Sequence, residues 1–96
     1  QTDATGTTFT SGSVTTKRPG ALILDFMCGD DATETGTPGT GQTEIVDGSA
    51  GGATVSLQAS YKPMPRPGTT TMSWSALTNA TNKEHVAIVI EPAEGV

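Results

Sequence analysis

The chain has few of the residues from which catalytic and ligand sites are usually built. Its 96 residues include one histidine, His85, and one cysteine, Cys28. A lone cysteine cannot close an internal disulfide, and at the end of an apolar stretch Cys28 reads as a small buried core residue. His85 reads as a half-exposed residue flanking the last strand. No G-x-S-x-G, H-E-x-x-H or P-loop pattern occurs, so no enzyme activity and no cofactor are expected. Basic residues are also scarce: five Lys and Arg stand against ten Asp and Glu, for a formal net charge of −5. Lys17 and Arg18 are the only adjacent basic pair, whereas a phosphate backbone calls for clustered cations, so nucleic-acid binding is disfavoured. The longest apolar run, "ALILDFMC", is one strand long and is broken by Asp25. It falls far short of the roughly 18–20 residues of a membrane span, so no membrane insertion is expected.

What the chain does have is threonine and glycine. Apolar residues make up 33%, below the usual share of about 45–50%. Charged residues make up 16%, too few for the high-charge signature of disorder. Threonine is β-branched and suits a pleated surface. The length fits one small domain, residues 1–96, with residues 1–6 a frayed or linker-like start. The first residue is Gln1, so the sequence is expected to be a processed product or an excerpt of a longer chain.

Turn signals divide the rest into short strands. "TTFTSGSVTT" suits a strand or a pair of short strands bending near Gly12, and "KRPG" at 17–20 is a turn. "ALILDFMCG" is a central strand with Leu22, Leu24, Phe26 and Cys28 on one face and Ala21, Ile23, Asp25 and Met27 on the other. Both faces are mostly apolar, which predicts cover on two sides. Asp25 is anomalous there: either its face is partly uncovered, or a Lys or Arg reaches it. "QTEIVDG" at 42–48 is a short strand. In "ATVSLQASYK", Val55, Leu57, Ala59 and Tyr61 are expected inward, and Thr54, Ser56, Gln58 and Ser60 toward solvent. "PMPRPG" at 63–68 is expected to be an extended connection that leaves the sheet. "TTTMSWSAL" points Met72 and Trp74 inward, and "HVAIVIEP" puts Val86, Ile88 and Ile90 on one face. No stretch carries a helical period. The expected fold is all-β: an antiparallel sandwich of jelly-roll or immunoglobulin-like type with about six to eight strands. Its expected core is Val14, Leu22, Leu24, Phe26, Val55, Leu57, Tyr61, Met72, Trp74, Val86, Ile88 and Ile90.

One polar stretch, "GDDATETG", interrupts this pattern. Asp30, Asp31 and Glu34 are metal candidates, but the loop lacks the alternate-acid spacing of an EF-hand. A contact loop of Asp30, Asp31, Thr33, Glu34 and Thr35 is the better expectation. Asn79-Ala80-Thr81 matches the N-glycosylation pattern, which arises easily by chance in a Thr-rich loop. Sugar platforms need exposed aromatics, and alternation places Trp74 and Tyr61 in the core.

In order, "ATGTTFTSGSVTTKRPGALILDF", "TPGTGQTEIVD", "GGATVSLQASYK", "PGTTTMSWSAL" and "EHVAIVIEPA" resemble a repeated β-sandwich module. That module occurs in secreted and cell-surface bacterial proteins and in phage virion proteins. Its members show a Thr-rich first strand, a "GALLV"-like strand, a "TPPAGWTE"-like segment, a "GTTTATWTLS"-like strand and a closing "WVAAIVALRPA"-like strand. The likeness spans residues 4–93. Gln42 stands where the module usually has Trp, and His85 where it usually has an aromatic. If those aromatics share a surface patch, this chain has lost it. The resemblance implies a non-catalytic structural role, as a capsid-decoration or tail-appendage type subunit on an extracellular or virion surface. Its partners would be further copies of itself or a larger particle. The alternative it implies is a carbohydrate-binding or adhesion module that contacts a surface glycan.

Overall fold

The computed structural model describes residues 8–29, 35–49, 56–77 and 83–93. Among them there is no helix, and every strand pairing is antiparallel. The strands are β1 (Phe9–Thr10), β2 (Val14–Thr16), β3 (Ala21–Gly29), β4 (Thr37–Pro38), β5 (Thr43–Ser49), β6 (Ser56–Met64), β7 (Gly68–Thr70), β8 (Ser73–Ser75) and β9 (Lys83–Ile90). The expected all-β sandwich architecture is present. The large sheet has the order β5-β6-β3-β9. Opposite it lie a β1-β8-β4 sheet and a β2-β7 ribbon.

These two small pieces behave as one interrupted layer. Of the two forms expected for the first segment, the pair of short strands is present as β1 and β2, while the single strand expected at 69–77 breaks between β7 and β8. Ser11 spans the break: its N–H donates to the Met72 carbonyl at 2.7 Å, and its Oγ accepts from the Met72 N–H at 2.9 Å. The serine thus satisfies both backbone groups of Met72 where the ladder is irregular. The layers meet in a cluster of Phe9, Met27, Trp74 and Leu77.

The turn at 17–20 forms as expected. Gly20 has φ 82°, a left-handed conformation that other residues adopt at a cost. Glu91 Oε1 accepts from the backbone N–H of both Lys17 and Arg18 at 2.7 Å, tying this turn to the end of β9. The proline segment differs from expectation. β6 continues through Pro63 to Met64, with Pro63 opposite Leu22. β5 pairing ends at Tyr61, so this part of β6 has an open edge, where a strand tolerates proline.

The main correction concerns which face of the large sheet is inside. In β3 the buried side chains are Ala21, Ile23, Asp25 and Met27, while Leu22 and Leu24 are half-buried and Phe26 is 37% exposed. In β6 the expected solvent face is the inner one: Ser56, Gln58 and Ser60 are fully buried, while Leu57 and Tyr61 are half-buried. In β9, Val86, Ile88 and Ile90 are 54%, 44% and 49% exposed, and His85 is buried. Cys28 lies on the outer face and is exposed, contrary to its expected burial. Val14 is half-buried. Met72 and Trp74 are buried as expected, whereas Ala59, expected inward, lies on the outer face and is buried there between Val46 and Phe26. Val55 lies outside the described residues.

Ile23 is fully buried in the layer between the sheets. Ile23→Ala should lower unfolding free energy by about 2–5 kcal/mol in urea titrations, the usual range for emptying an enclosed aliphatic site.

Candidate functional site

The centre of the sandwich is polar. Asp25, on β3, is fully buried and directly opposite Ser60 of β6. Its Oδ1 accepts from Ser60 Oγ at 2.5 Å. Its Oδ2 accepts from Trp74 Nε1 at 3.0 Å and lies 2.8 Å from His85 Nε2. Ser60 is a cross-strand neighbour, His85 reaches diagonally from the next row of β9, and Trp74 comes from the opposite layer. The expectation that a Lys or Arg reaches Asp25, or that its face is partly open, is therefore corrected. Neutral donors and one histidine hold it in full burial.

The direction of the hydrogen bonds follows from groups that have no choice. The Ser73 N–H can only donate, and it does so to Gln42 Oε1 at 2.7 Å. That fixes the Gln42 amide, whose Nε2 donates to Ser60 Oγ at 2.8 Å. The single hydroxyl hydrogen of Ser60 then goes to Asp25. An indole N–H is also donor only. The links that run through Gln42, Ser60 and Trp74 thus end on one carboxylate, the arrangement a buried anion needs.

Gln42 is positioned by its turn. Its N–H donates to the Gly39 carbonyl at 3.0 Å, and the Gly39 N–H donates to the Ser73 carbonyl at 2.9 Å. Gly41 has φ 84°, which suits the third position of such a turn. A Cβ on Gly39 would stand 2.7 Å from Gln42 Oε1, so glycine is needed there to leave the amide room.

Two further polar ties flank this centre. Gln58 Nε2 donates to Asp47 Oδ1 at 3.1 Å, and Asp47 also accepts from the Gly36 N–H at 3.1 Å. Lys62 Nζ donates to Thr70 Oγ1 at 2.7 Å, which joins β6 to β7.

Ser60, His85 and Asp25 have the residue types of a hydrolase triad but not its wiring. A nucleophilic serine gives its hydrogen to the histidine and faces substrate. Here the serine gives it to the aspartate, and all three side chains are closed to solvent. Gln42 and His85, the two positions that depart from the aromatic pattern, both point into this network. They form no exposed patch. The signals for it in the sequence are a carboxylate inside an apolar strand and a solitary histidine in another.

The outer face of the large sheet is the second feature. Its rows run Pro63–Leu22–Ile90, Thr43–Tyr61–Leu24–Ile88, Val46–Ala59–Phe26–Val86 and Gly48–Leu57–Cys28–Glu84 across the strands. β5 carries a register shift between Glu44 and Val46, and Ile45 there is 55% exposed. Phe26, Cys28, Glu84, His85 and Val86 line a hollow of about 140 Å³ at one end of this face. A more open depression of about 360 Å³ lies between residues 11–14 and residues 85–87 of β9.

Of the expected contact loop, Thr35 is exposed, while Asp30, Asp31, Thr33 and Glu34 lie outside the described residues. So does Asn79-Ala80-Thr81. Among the described residues no group of three or more His, Cys, Asp or Glu is placed to hold a metal ion. No family model, curated protein or solved structure matches the chain.

Asp25→Asn turns an acceptor into a donor facing fixed donors and should destabilise by about 3 kcal/mol or more. Trp74→Phe keeps an aromatic ring but removes the N–H and the space its five-membered ring fills, so the lost bond, about 1–3 kcal/mol, adds to the cost of the void. In a double-mutant cycle by urea denaturation, the combined loss should be smaller than the sum, because both act on one bond.

Proposed function

We propose that the chain is a non-catalytic structural module that works by multi-copy assembly on an extracellular or virion surface, as a capsid-decoration or tail-appendage subunit does. Within the sandwich class it is of jelly-roll or immunoglobulin-like type. The observation that carries this reading is the uncovered apolar face of the large sheet. A folded chain of low apolar content keeps its polar residues inside and presents Phe26, Val86, Ile88 and Ile90 to the outside. A contiguous apolar face of this kind marks a surface that another body covers. Burying such residues is worth about 25 cal/mol per Å² of apolar area, so assembly adds stability that the polar centre supplies only sparingly.

The resemblance of residues 4–93 to a module of secreted and virion proteins supports the same reading. The adhesion alternative is less well supported. Trp74 and Phe9 are buried and Tyr61 is half-buried, which leaves Phe26 as the most exposed of the four aromatics. A stacked sugar needs more of a platform than that.

Sedimentation velocity at tens of micromolar should show species heavier than the monomer. The double variant Val86→Lys/Ile88→Lys should return them to monomer while the near-ultraviolet signal of Trp74 is retained. A chain that stays monomeric at every concentration and binds a polysaccharide on a glycan array would contradict the proposal.

A further inference from the structure

The partner of the outer face can be specified further, and the specification rests on the assembly reading above. We infer that the outer face of the β5-β6-β3-β9 sheet packs against the same face of a second copy, about a two-fold axis lying in the interface plane and perpendicular to the strands.

Shape and size come first. Four strands at the usual spacing, over the rows from Leu22 to Cys28, give a flat footprint of roughly 400–500 Å². That is the apolar centre of an interface whose usual size is about 800 Å² per partner, with Lys17, Arg18, Ile45 and Glu84 supplying rim. The rows carry aliphatic and aromatic side chains with no charge before the last one, as in the inner faces of packed sheets.

The ends of the face choose the partner and the axis. Glu84 closes one end, beside Cys28. Lys17 and Arg18 lie in the turn leading into β3 at the other end. There Glu91 of the same copy accepts from both backbone N–H groups and the Arg18 guanidinium donates to the Pro92 carbonyl at 3.0 Å, so two cations stand against the Glu91 carboxylate. Two faces can be related by a two-fold axis along the strands or across them. The first exchanges β5 with β9 and sets Glu84 of each copy over Gly48 of the other, where the row holds no cation to meet it. The second reverses the strand direction and sets Glu84 of each copy near Lys17 and Arg18 of the other. The face is then complementary to itself, as an isologous contact requires.

The hollow fits the same axis. It is lined by Phe26, Cys28, Glu84, His85 and Val86 at the acidic end. Reversal about the middle of β3 brings Leu22 and Ile90 of the second copy over it. Its volume of about 140 Å³ is comparable with apolar cavities that accept benzene-sized groups. Half-buried Leu22 and 49% exposed Ile90 are branched aliphatic side chains able to enter it.

Thiol cross-linking tests the geometry. Facing sheets lie about 10 Å apart, so a bis-maleimide of that span is the probe. Within one chain, positions 22 and 28 are about 20 Å apart along the strand and cannot be bridged by it. The crossed axis predicts a covalent dimer with Leu22→Cys, in which the introduced thiol of one copy is joined to Cys28 of the other. It predicts little with the native chain, and little with Leu22→Cys/Cys28→Ser. Ile90→Cys, at an exposed position beside Leu22, gives the same readout should Leu22→Cys lose the fold.

Efficient cross-linking of native Cys28 to itself would overturn the crossed axis and leave assembly standing. Heavy species in sedimentation with no cross-link in either cysteine variant would overturn face-to-face packing of two copies. A monomer in sedimentation would overturn both this inference and the reading it rests on.

Discussion

The Asp25 carboxylate cannot enter the interior alone. An unpartnered buried anion would cost far more than a domain of this size has in reserve, so donors must converge on it from several directions. Ser60, Trp74 and His85 surround it, and Gln42 and Ser73 extend the chain of bonds into the opposite layer. The two sheets are thereby held in one register by bonds with fixed geometry. Apolar packing alone would tolerate sliding, while a carboxylate with three donors does not.

Turning Asp25 inward also decides where the rest of the sheet goes. Side chains alternate, so the inward face of β3 sets the faces of β6 and β9 through their register. Ser60 and Gln58 follow Asp25 to the inside, with His85 from β9. Leu22, Leu24, Phe26, Ile88 and Ile90 follow one another to the outside. The apolar outer surface and the polar centre are two results of one alternation. The proposed role in assembly therefore depends on an interaction that the assembling surface never touches.

Much of the architecture is legible in the sequence. Strand positions, the turn at Lys17–Gly20 and the inward placement of Met72 and Trp74 follow from turn chemistry and period-two patterning. The choice of face does not. The alternation of β6 is plain from its residues, but the usual preference of apolar residues for the interior points its polar half toward water. That rule runs one way: apolar residues can stay outside when polar ones find partners within. Ser60, Trp74 and His85 lie 35 to 60 residues from Asp25 in sequence and on both layers, so no local pattern announces them. The departures at Gln42 and His85 are visible in the sequence, where they suggest the loss of a surface patch. Only the fold brings both to the same carboxylate.

The most direct test of this arrangement uses the single tryptophan. Its indole N–H gives one assignable amide-region signal in a ¹H–¹⁵N spectrum. With Trp74 Nε1 donating to Asp25 in full burial, that hydrogen should exchange only through global unfolding, as slowly as the best protected amides of β3. Asp25→Ala should shift the signal and speed its exchange. Exchange in the native protein at the rate of a free indole, unchanged by Asp25→Ala, would contradict the inward placement of Asp25 and the inverted faces that follow from it.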